Sequence, residues 1–100
     1  MINLDMEKRS SKYYGVGYIR PINKFVLYTV VTWITWYNRY YEISEEEYHL
    51  FDSGKLDELA EKLYKLENRT ERFLFSDKNE ENNEKHNEKQ LELHKKANLN

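Results

Sequence analysis

Three histidines and a few serines are the side chains from which catalytic or metal chemistry would have to be built. His49, His86 and His94 are far apart, and no two have the i,i+4 spacing that places two imidazoles on one helix face as metal ligands. The chain has no cysteine, no Gly-rich phosphate loop, and no serine in a recognisable His and Asp context. We therefore predict a protein that is not an enzyme and needs no metal or cofactor, although Glu47 and His49 beside aromatic residues leave catalysis open.

Charge is sorted along the chain. Residues 8–39 include six basic residues and no acid, whereas residues 42–61 include eight acids and one lysine. The formal net charge of -2 therefore hides a basic segment followed directly by an acidic one. This separation predicts a folded domain with a signed face, that is, a surface of mostly one charge sign, which attracts partners of the opposite charge. The basic residues are Lys8, Arg9, Lys12, Arg20, Lys24 and Arg39, and the acids are Glu42, Glu45, Glu46, Glu47, Asp52, Asp57, Glu58 and Glu61.

Aromatic residues are concentrated in the same half of the chain. Twelve of the fifteen lie between residues 13 and 51, including both tryptophans. Many of them must form the core, because aromatic rings carry much of the burial in a small domain. A domain of about 75 residues cannot bury them all, and Tyr and Trp are favoured at binding hot spots. We expect an exposed patch drawn from Tyr28, Trp33, Trp36, Tyr37, Tyr40 and Tyr41.

Acids and aromatic rings together predict a surface that binds a protein with a basic surface. The acids would speed encounter and set orientation, and the desolvated rings would slow release. The predicted contact residues are Glu45, Glu46, Glu47, Asp52, Asp57, Glu58, Glu61, Trp36, Tyr37, Tyr40 and Tyr48.

Single-stranded nucleic acid is an alternative partner. Aromatic and basic residues alternate along one part of the chain and would suit base stacking and phosphate contact, namely Tyr13, Tyr14, Tyr18, Arg20, Lys24 and Tyr28. However, the RNP-type consensus is absent, the isoelectric point is about 5.9, and the adjacent acids would repel phosphate. The charge balance therefore disfavours nucleic acid.

The elements that would position these residues begin with strands. Residues 13–20 alternate and contain two glycines, which mark a bulge or the close approach of another backbone. Residues 25–37 contain seven β-branched residues and are apolar on both faces, which predicts a central strand, one too long for so small a domain without a bend or bulge. Asn38 and Arg39 are predicted to form a tight turn, from which residues 40–43 return antiparallel.

Two helices and a last strand are predicted next. Ser44 and Glu47 match the Ser-x-x-Glu capping box, and the short helix they begin is expected to end at Gly54. A second helix is predicted over residues 55–68, and residues 72–76 form a short alternating strand that would pair with the hairpin. The buried stripe of the second helix comprises Leu56, Leu59, Ala60, Leu63 and Leu66.

The ends of the chain are polar. We predict a single domain at residues 1–76 and a charged tail at residues 77–100 that is disordered or marginally helical. Residues 1–12 are predicted to be a frayed or helical lead-in without the apolar segment of a signal peptide. The longest uncharged run, residues 25–38, is too short to span a membrane. These features predict a cytoplasmic protein.

Part of the chain also has a familiar order of motifs. The segment TWITWYNRYYEIS at residues 32–44 continues as EEEYHLFDSGKLDELAEKL and closes with ERFLFSD. This part, residues 30–77, resembles small bacterial immunity proteins encoded beside polymorphic or contact-dependent toxins, several of which have a hairpin, an Ile-Ser-x-Glu-Glu-Tyr helix start, a Leu-rich helix and a final strand. The resemblance implies a stoichiometric inhibitor that masks a toxin domain, often a nuclease.

We therefore predict an α+β fold in which an antiparallel sheet of about four strands packs two helices on one face. The predicted function is a small protein-binding inhibitor, an immunity protein that neutralises a toxin nuclease. Three alternatives stay open: a phage-encoded inhibitor of a host nuclease, a single-stranded nucleic-acid module, and a subunit that forms a homodimer or larger oligomer through its aromatic sheet.

Overall fold

The computed structural model describes residues 4–32 and 34–88 of the 100-residue chain. It has one antiparallel sheet whose five strands follow the order of the sequence, and between the fourth and fifth strands lie the helices α1 (Glu45–His49) and α2 (Asp57–Leu66). This arrangement confirms the predicted α+β class. The strands are β1 (Asp5–Ser10), β2 (Tyr14–Ile19), β3 (Lys24–Val31), β4 (Tyr37–Ile43) and β5 (Phe73–Ser76).

The strand β1 is an addition to the predicted sheet. We expected a frayed or helical lead-in, but Asp5–Ser10 pairs with β2 across a register shift between Asp5 and Lys8. Tyr48 in α1 holds this edge by donating a 2.6 Å hydrogen bond from its hydroxyl to the backbone carbonyl of Met6. Backbone pairing and a distant tyrosine stabilise β1, and neither contact is visible in its polar local sequence.

The hairpin of β3 and β4 is confirmed, but the predicted position of its turn is wrong. Asn38 and Arg39 lie inside β4, where they pair with Val30 and Thr29, because β3 ends at Val31 and β4 begins at Tyr37. The β-branched residues between these two strands favour a strand locally, yet a strand needs a partner across the sheet. With the end of β3 at Val31, the whole of β4 pairs with β3.

The two glycines of β2 allow close packing on one face of the sheet. A Cβ at Gly15 would overlap the ring of Tyr28, and a Cβ at Gly17 would lie 2.8 Å from the Cβ of Leu4. The predicted approach of another backbone is wrong at Gly15, where all the nearest atoms belong to the Tyr28 side chain. At Gly17 one backbone atom, the carbonyl oxygen of Asp5, would lie 3.3 Å from an added Cβ, behind the Leu4 side chain. The absence of a side chain at Gly15 lets Tyr28 lie flat across β2 with 5% of its surface exposed.

The helices begin and pack largely as their sequence predicts. Ser44 Oγ accepts a hydrogen bond from the backbone N–H of Glu47 at 3.0 Å, and Glu47 Oε1 accepts from the backbone N–H of Ser44 at 2.9 Å, so the capping box is complete. The helix α1 is shorter than expected, because a 3-10 turn separates it from Gly54, which has a φ of +76°. The helix α2 begins two residues later and ends two residues earlier than predicted, and its buried residues are Ala60 and Leu63.

Both faces of the sheet are apolar, which confirms the central position of β3. On the face covered by α1 and α2, the core contains Tyr14, Val16, Leu27, Tyr41, Ile43, Tyr48, Leu56, Ala60, Leu63 and Phe73. On the opposite face, a second cluster contains Ile19, Val26, Tyr28, Tyr40, Leu74 and Phe75, with Leu4, Ile22 and Val30 packed against it.

The segment after β5 contacts the sheet. Residues 79–81 form a 3-10 turn, from which Glu81 accepts two hydrogen bonds from the buried Arg39 guanidinium at 2.8 and 2.7 Å. Asn82 accepts a bond from the backbone N–H of Ser76 at 2.7 Å and donates one to its carbonyl at 2.9 Å. Residues 84–88 are helical, and the rest of the predicted tail lies outside the described residues.

The pairing of Glu81 makes stability depend on pH. Burial alone would raise the pKa of Glu81, but hydrogen bonds from Arg39 and Tyr37 lower it to about 2 from an ordinary 4.5. Because the folded pKa lies below the unfolded one, this stabilisation is complete above pH 4.5 and is lost as the pH falls towards 2. A shift of this size corresponds to about 3 kcal/mol.

We therefore expect Glu81→Gln to lower the free energy of unfolding at pH 7, and its deficit relative to the wild type to shrink between pH 5 and pH 2. Urea titrations across this pH range measure the effect. Glu80→Gln is the matched control, because Glu80 is exposed on the same turn. Parallel pH profiles for the wild type and Glu81→Gln would contradict the assignment.

Candidate functional site

The fold pairs the two charged segments with each other and with neighbouring acids. Each of the six basic residues between 8 and 39 has a carboxylate partner, so the basic side of the predicted signed face is neutralised. The pairs are Lys8–Asp52 at 2.9 Å, Arg9–Glu7 at 2.7 Å, Lys12–Asp57 at 2.7 Å, Arg20–Asp5 at 2.9 Å, Lys24–Glu42 at 3.1 Å and Arg39–Glu81 at 2.7 Å.

Three of the predicted contact acids are held by such pairs. Glu47 is bonded to Arg72 at 2.9 Å, which lowers the pKa of the carboxyl group, while Asp52 and Asp57 bind Lys8 and Lys12. Their charge is therefore compensated within the molecule.

The remaining acids lie on the outer sides of α1 and α2. Glu46 and Glu58 are exposed and form no ion pair with any residue in the described ranges. Glu45 lies 3.7 Å from His49, a contact that is ionic only if the imidazole is protonated, and Glu61 lies 3.3 Å from Lys65, both partners being exposed. Exposed pairs of this kind are weak, so these four residues carry the uncompensated negative charge of the two helices.

Two of the predicted aromatic contact residues are buried, contrary to the exposure expected of them. Tyr40 is 1% exposed and packs on Phe75 with ring centroids 5.0 Å apart, and Tyr48 is 4% exposed with its hydroxyl bonded to β1. Both rings belong to the cores, since β4 is covered on both faces and α1 lies against the sheet. Tyr28 and Tyr41 are also buried, and Trp33 lies outside the described residues.

The other two aromatic contacts are accessible to different degrees. Trp36 is 63% exposed in the β3–β4 loop. Tyr37 is half-buried, and its hydroxyl donates to Glu81 at 2.7 Å. Burial and this hydrogen bond raise the pKa of Tyr37 to about 12.

Sequence reasoning missed two exposed rings. Tyr13 is 57% exposed in the β1–β2 turn and meets Trp36 edge to face at 5.8 Å. Its φ of +62° is uncommon for an aromatic residue. Tyr64 in α2 is 44% exposed. Its position could have been inferred from helical spacing, because Tyr64 follows Asp57 and Glu61 by seven and three residues and shares their side of the helix.

A groove of ≈ 680 Å³ lies between α2 and the end of the sheet that carries Tyr13. The β1–β2 turn and the end of β3 form one side, and the outward stripe of α2 forms the other. The small side chain of Ala60 leaves space between them. The lining residues used below are Lys12, Tyr13, Thr29, Glu58, Glu61 and Tyr64.

The groove is negatively charged and partly aromatic. Asp57, Glu58 and Glu61 line it against a single lysine, Lys12. Asp57 accepts hydrogen bonds from Lys12 and from the Tyr14 hydroxyl, which lower the pKa of its carboxyl group. Glu58 and Glu61 are left to face solvent beside Tyr64, so the groove suits a cation with a flat or apolar stem.

Thr29 adds an unusual polar atom to this groove. The residue is 1% exposed, and its Oγ1 has no hydrogen-bond partner of ordinary geometry among the described residues. Burial raises the pKa of the neighbouring Tyr41 hydroxyl to about 12, and a contact with Thr29 opposes this rise. The Tyr41 hydroxyl is placed to donate to the backbone carbonyls of Leu63 and Glu67 at 3.1 and 2.8 Å. A buried hydroxyl without a well-formed hydrogen bond is costly.

Residues 4–32 and 34–88 contain no group of three His, Asp or Glu side chains able to hold a metal ion. Over these same residues, the helices are too short or too polar to cross a bilayer. Comparison of the chain with protein-family models, with curated proteins and with solved structures found no significant match.

Replacing Thr29 by valine removes the unpaired hydroxyl and keeps the β-branched shape. We expect Thr29→Val to raise the free energy of unfolding by about 1 kcal/mol, because the buried oxygen no longer needs to be desolvated without a partner. Chemical denaturation measures the change. Thr32→Val, an exposed threonine just beyond β3, is the control and should have little effect. A loss of stability in Thr29→Val would show that the hydroxyl is already satisfied.

Proposed function

We propose that this chain is a non-catalytic inhibitor that binds a basic surface of one partner protein. The observation that carries the proposal is the groove beside α2, where the unpaired Glu58 and the weakly paired Glu61 lie with the exposed rings of Tyr13 and Tyr64. Carboxylates alone would be an ordinary solvated helix surface. Aromatic rings beside them provide the desolvated contact that a stable complex needs.

The two kinds of residue have different parts in binding. Uncompensated charge at Glu46, Glu58 and their neighbours attracts a basic partner over a Debye length and sets its orientation. Trp36 and Tyr13 lie at the end of the sheet, and their apolar surface is removed from solvent only when the complex forms. The acids therefore act mainly on the association rate, and the rings act mainly on dissociation.

The resemblance of residues 30–77 to immunity proteins supports a more specific proposal. In this proposal the chain works in the cytoplasm and neutralises a bacterial toxin. A nuclease is the toxin that fits best, because its phosphate-binding surface is basic. A phage-encoded inhibitor of a host nuclease would use the same surface. The gene beside this one separates the two, since a toxin gene favours immunity and a phage early operon favours anti-defence.

Two observations favour a protein partner over nucleic acid. The basic residues that would contact phosphate are paired with acids, and the exposed rings of Tyr13 and Tyr64 line a groove that also contains Glu58 and Glu61. Self-association through Tyr13, Ile34 and Trp36 has one supporting observation, which is that all three are exposed apolar residues.

Affinity capture from lysate of the native host, with the full chain as bait and mass spectrometry as readout, tests the proposed function. We expect one stoichiometric protein with a basic surface, released at high salt. Recovery of nucleic acid, or of the bait alone, would contradict the proposal, and solution mass measurement would then identify an oligomer.

Charge reversal on the two helices separates association from dissociation. With the captured partner, Glu46→Lys combined with Glu58→Lys should lower kon about tenfold at low salt, and the difference should vanish at high salt. Glu80→Lys combined with Glu84→Lys, at two exposed positions after β5, makes the same change in net charge and is the control. Trp36→Ala should instead raise koff about tenfold with kon nearly unchanged, because the exposed ring is expected at the contact. If neither the charge reversals nor Trp36→Ala alters the binding kinetics, this surface is not where the partner binds.

A further inference from the structure

We propose that the sheet face opposite α1 and α2 carries a binding site for a neutral purine nucleoside. The site is a cavity of ≈ 400 Å³ that Tyr28 of the second core cluster lines together with Val30, which packs against that cluster. The cavity shares Tyr13 with the groove beside α2 but lies on the other side of the sheet. The lining residues on which the proposal depends are Glu7, Arg9, Tyr13, Tyr28, Trp36 and Asn38.

A buried amide is the observation that points to a ligand. Asn38 lines the cavity and is 9% exposed. Its Nδ2 donates to the Tyr40 hydroxyl at 3.4 Å, whereas its Oδ1 accepts no hydrogen bond from any residue in the described ranges. That oxygen is not fully enclosed, so a donor that enters the cavity can reach it. An acceptor in so buried a position needs a partner, which an N–H group of a ligand would supply.

The opposite end of the cavity offers an acceptor and several donors. Glu7 accepts hydrogen bonds from Arg9 Nε and from the Tyr28 hydroxyl, each at 2.7 Å, and both bonds go to its Oε2. Glu7 Oε1 is left without a hydrogen bond among the residues that the structure describes. Arg9 uses Nε in this pair, so most of the guanidinium donors are left as well. An acceptor beside donors matches the edge of a nucleobase, where N–H groups alternate with ring nitrogens or carbonyl oxygens.

Two exposed rings at the mouth of the cavity provide a surface for stacking. Trp36 is 63% exposed and Tyr13 is 57% exposed, and the two rings meet edge to face with their centroids 5.8 Å apart. A flat heterocycle can stack on one ring while its edge meets the other. An alkyl chain would gain apolar contact with the rings but would leave Asn38 Oδ1 unpaired.

The spacing of the polar groups favours a two-ring base that carries its sugar. Glu7 lies in β1 and Asn38 in β4, so their backbones are three strand spacings, or about 14 Å, apart before their side chains narrow the gap. A single six-membered ring is too short to contact both ends of the cavity. A purine nucleoside is long enough, and the volume of the cavity lies in the range of about 300–1,000 Å³ that is usual for ligand sites.

Charge favours a neutral ligand over a phosphorylated one. The carboxylate of Glu7 neutralises Arg9 at 2.7 Å, so a phosphate group would find no unpaired cation at that end of the cavity. The site therefore suits a nucleoside rather than a nucleotide or a nucleic-acid strand.

The test titrates the full 15N-labelled chain with adenosine, cytidine, adenosine 5′-monophosphate and N-acetyl-tryptophan amide. We expect saturable NMR shifts at Glu7, Tyr28, Trp36 and Asn38 with adenosine, with a Kd on the order of 1 mM. Cytidine, which has one ring, should bind about fivefold more weakly, and the monophosphate should bind no more tightly than adenosine. N-acetyl-tryptophan amide imitates an aromatic side chain of a partner protein and should not saturate.

Variants separate a built cavity from stacking on an exposed indole. Trp36→Ala should weaken adenosine binding about tenfold, because it removes the stacking surface. Asn38→Ala should weaken it about fivefold, whereas Asn79→Ala, at an exposed position after β5, should leave it unchanged. If Asn38→Ala does not fold, Glu7→Gln provides the same test at the other end of the cavity. It keeps the shape of the side chain and should weaken binding about threefold, because a neutral amide is a weaker acceptor than a carboxylate.

Four outcomes would overturn the proposal. Equal affinities for adenosine and N-acetyl-tryptophan amide would indicate a site for a protein side chain, and tighter binding of the monophosphate would indicate a nucleotide or nucleic acid. Binding that is lost in Trp36→Ala but unchanged in both Asn38→Ala and Glu7→Gln would show stacking on an exposed ring only. The absence of any saturable shift would exclude the site. None of these outcomes bears on the proposed protein partner, whose acids Glu58 and Glu61 line the other groove.

Discussion

The position of β4 between β3 and β5 is the constraint on which the rest of the molecule depends. The chain leaves β4 at Ile43 and returns to pair beside it at Phe73, so α1 and α2 must lie on one face of the sheet within that excursion. The Tyr41 hydroxyl bonds the end of α2 to this strand, and Arg39 bonds the turn after β5 to it. The two core clusters and the groove beside α2 therefore all depend on the position of β4.

The same arrangement determines which residues of the basic and acidic segments form ion pairs. Folding the acidic helices over a sheet edge that carries lysines joins Lys8 to Asp52 and Lys12 to Asp57. Exposed pairs of this kind add little stability, but they cancel the long-range field of the basic segment. What is left is a smaller negative surface on the outer sides of α1 and α2, next to exposed rings. A surface of limited area is more selective than a whole charged face, because the partner must also match its shape.

Local signals predicted the parts of the fold that local physics determines. The Ser44 capping box, the leucine spacing of α2 and the short apolar strand near Phe73 each need only neighbouring residues. The strand β1 depends on its pairing with β2 and on a hydrogen bond from Tyr48, and the docked turn at Glu81 depends on Arg39. Both of these hydrogen bonds join residues more than forty positions apart in the sequence, which no local pattern reveals. The candidate site was predicted only in part, because the acids were recognisable by type, whereas the burial of Tyr40 and the exposure of Tyr13 depend on register and turn position.

The two bonds between Asn82 and Ser76 have a consequence for how copies of this chain meet. They reproduce, with one side-chain amide, the pair of hydrogen bonds that a neighbouring strand would make at that position of β5. The opposite border, β1, carries a register shift and the charged residues Glu7, Lys8 and Arg9. Sheets whose borders are interrupted in these ways resist extension by a second sheet, so the molecule is protected against growth into fibrous assemblies while its ring-lined groove stays open.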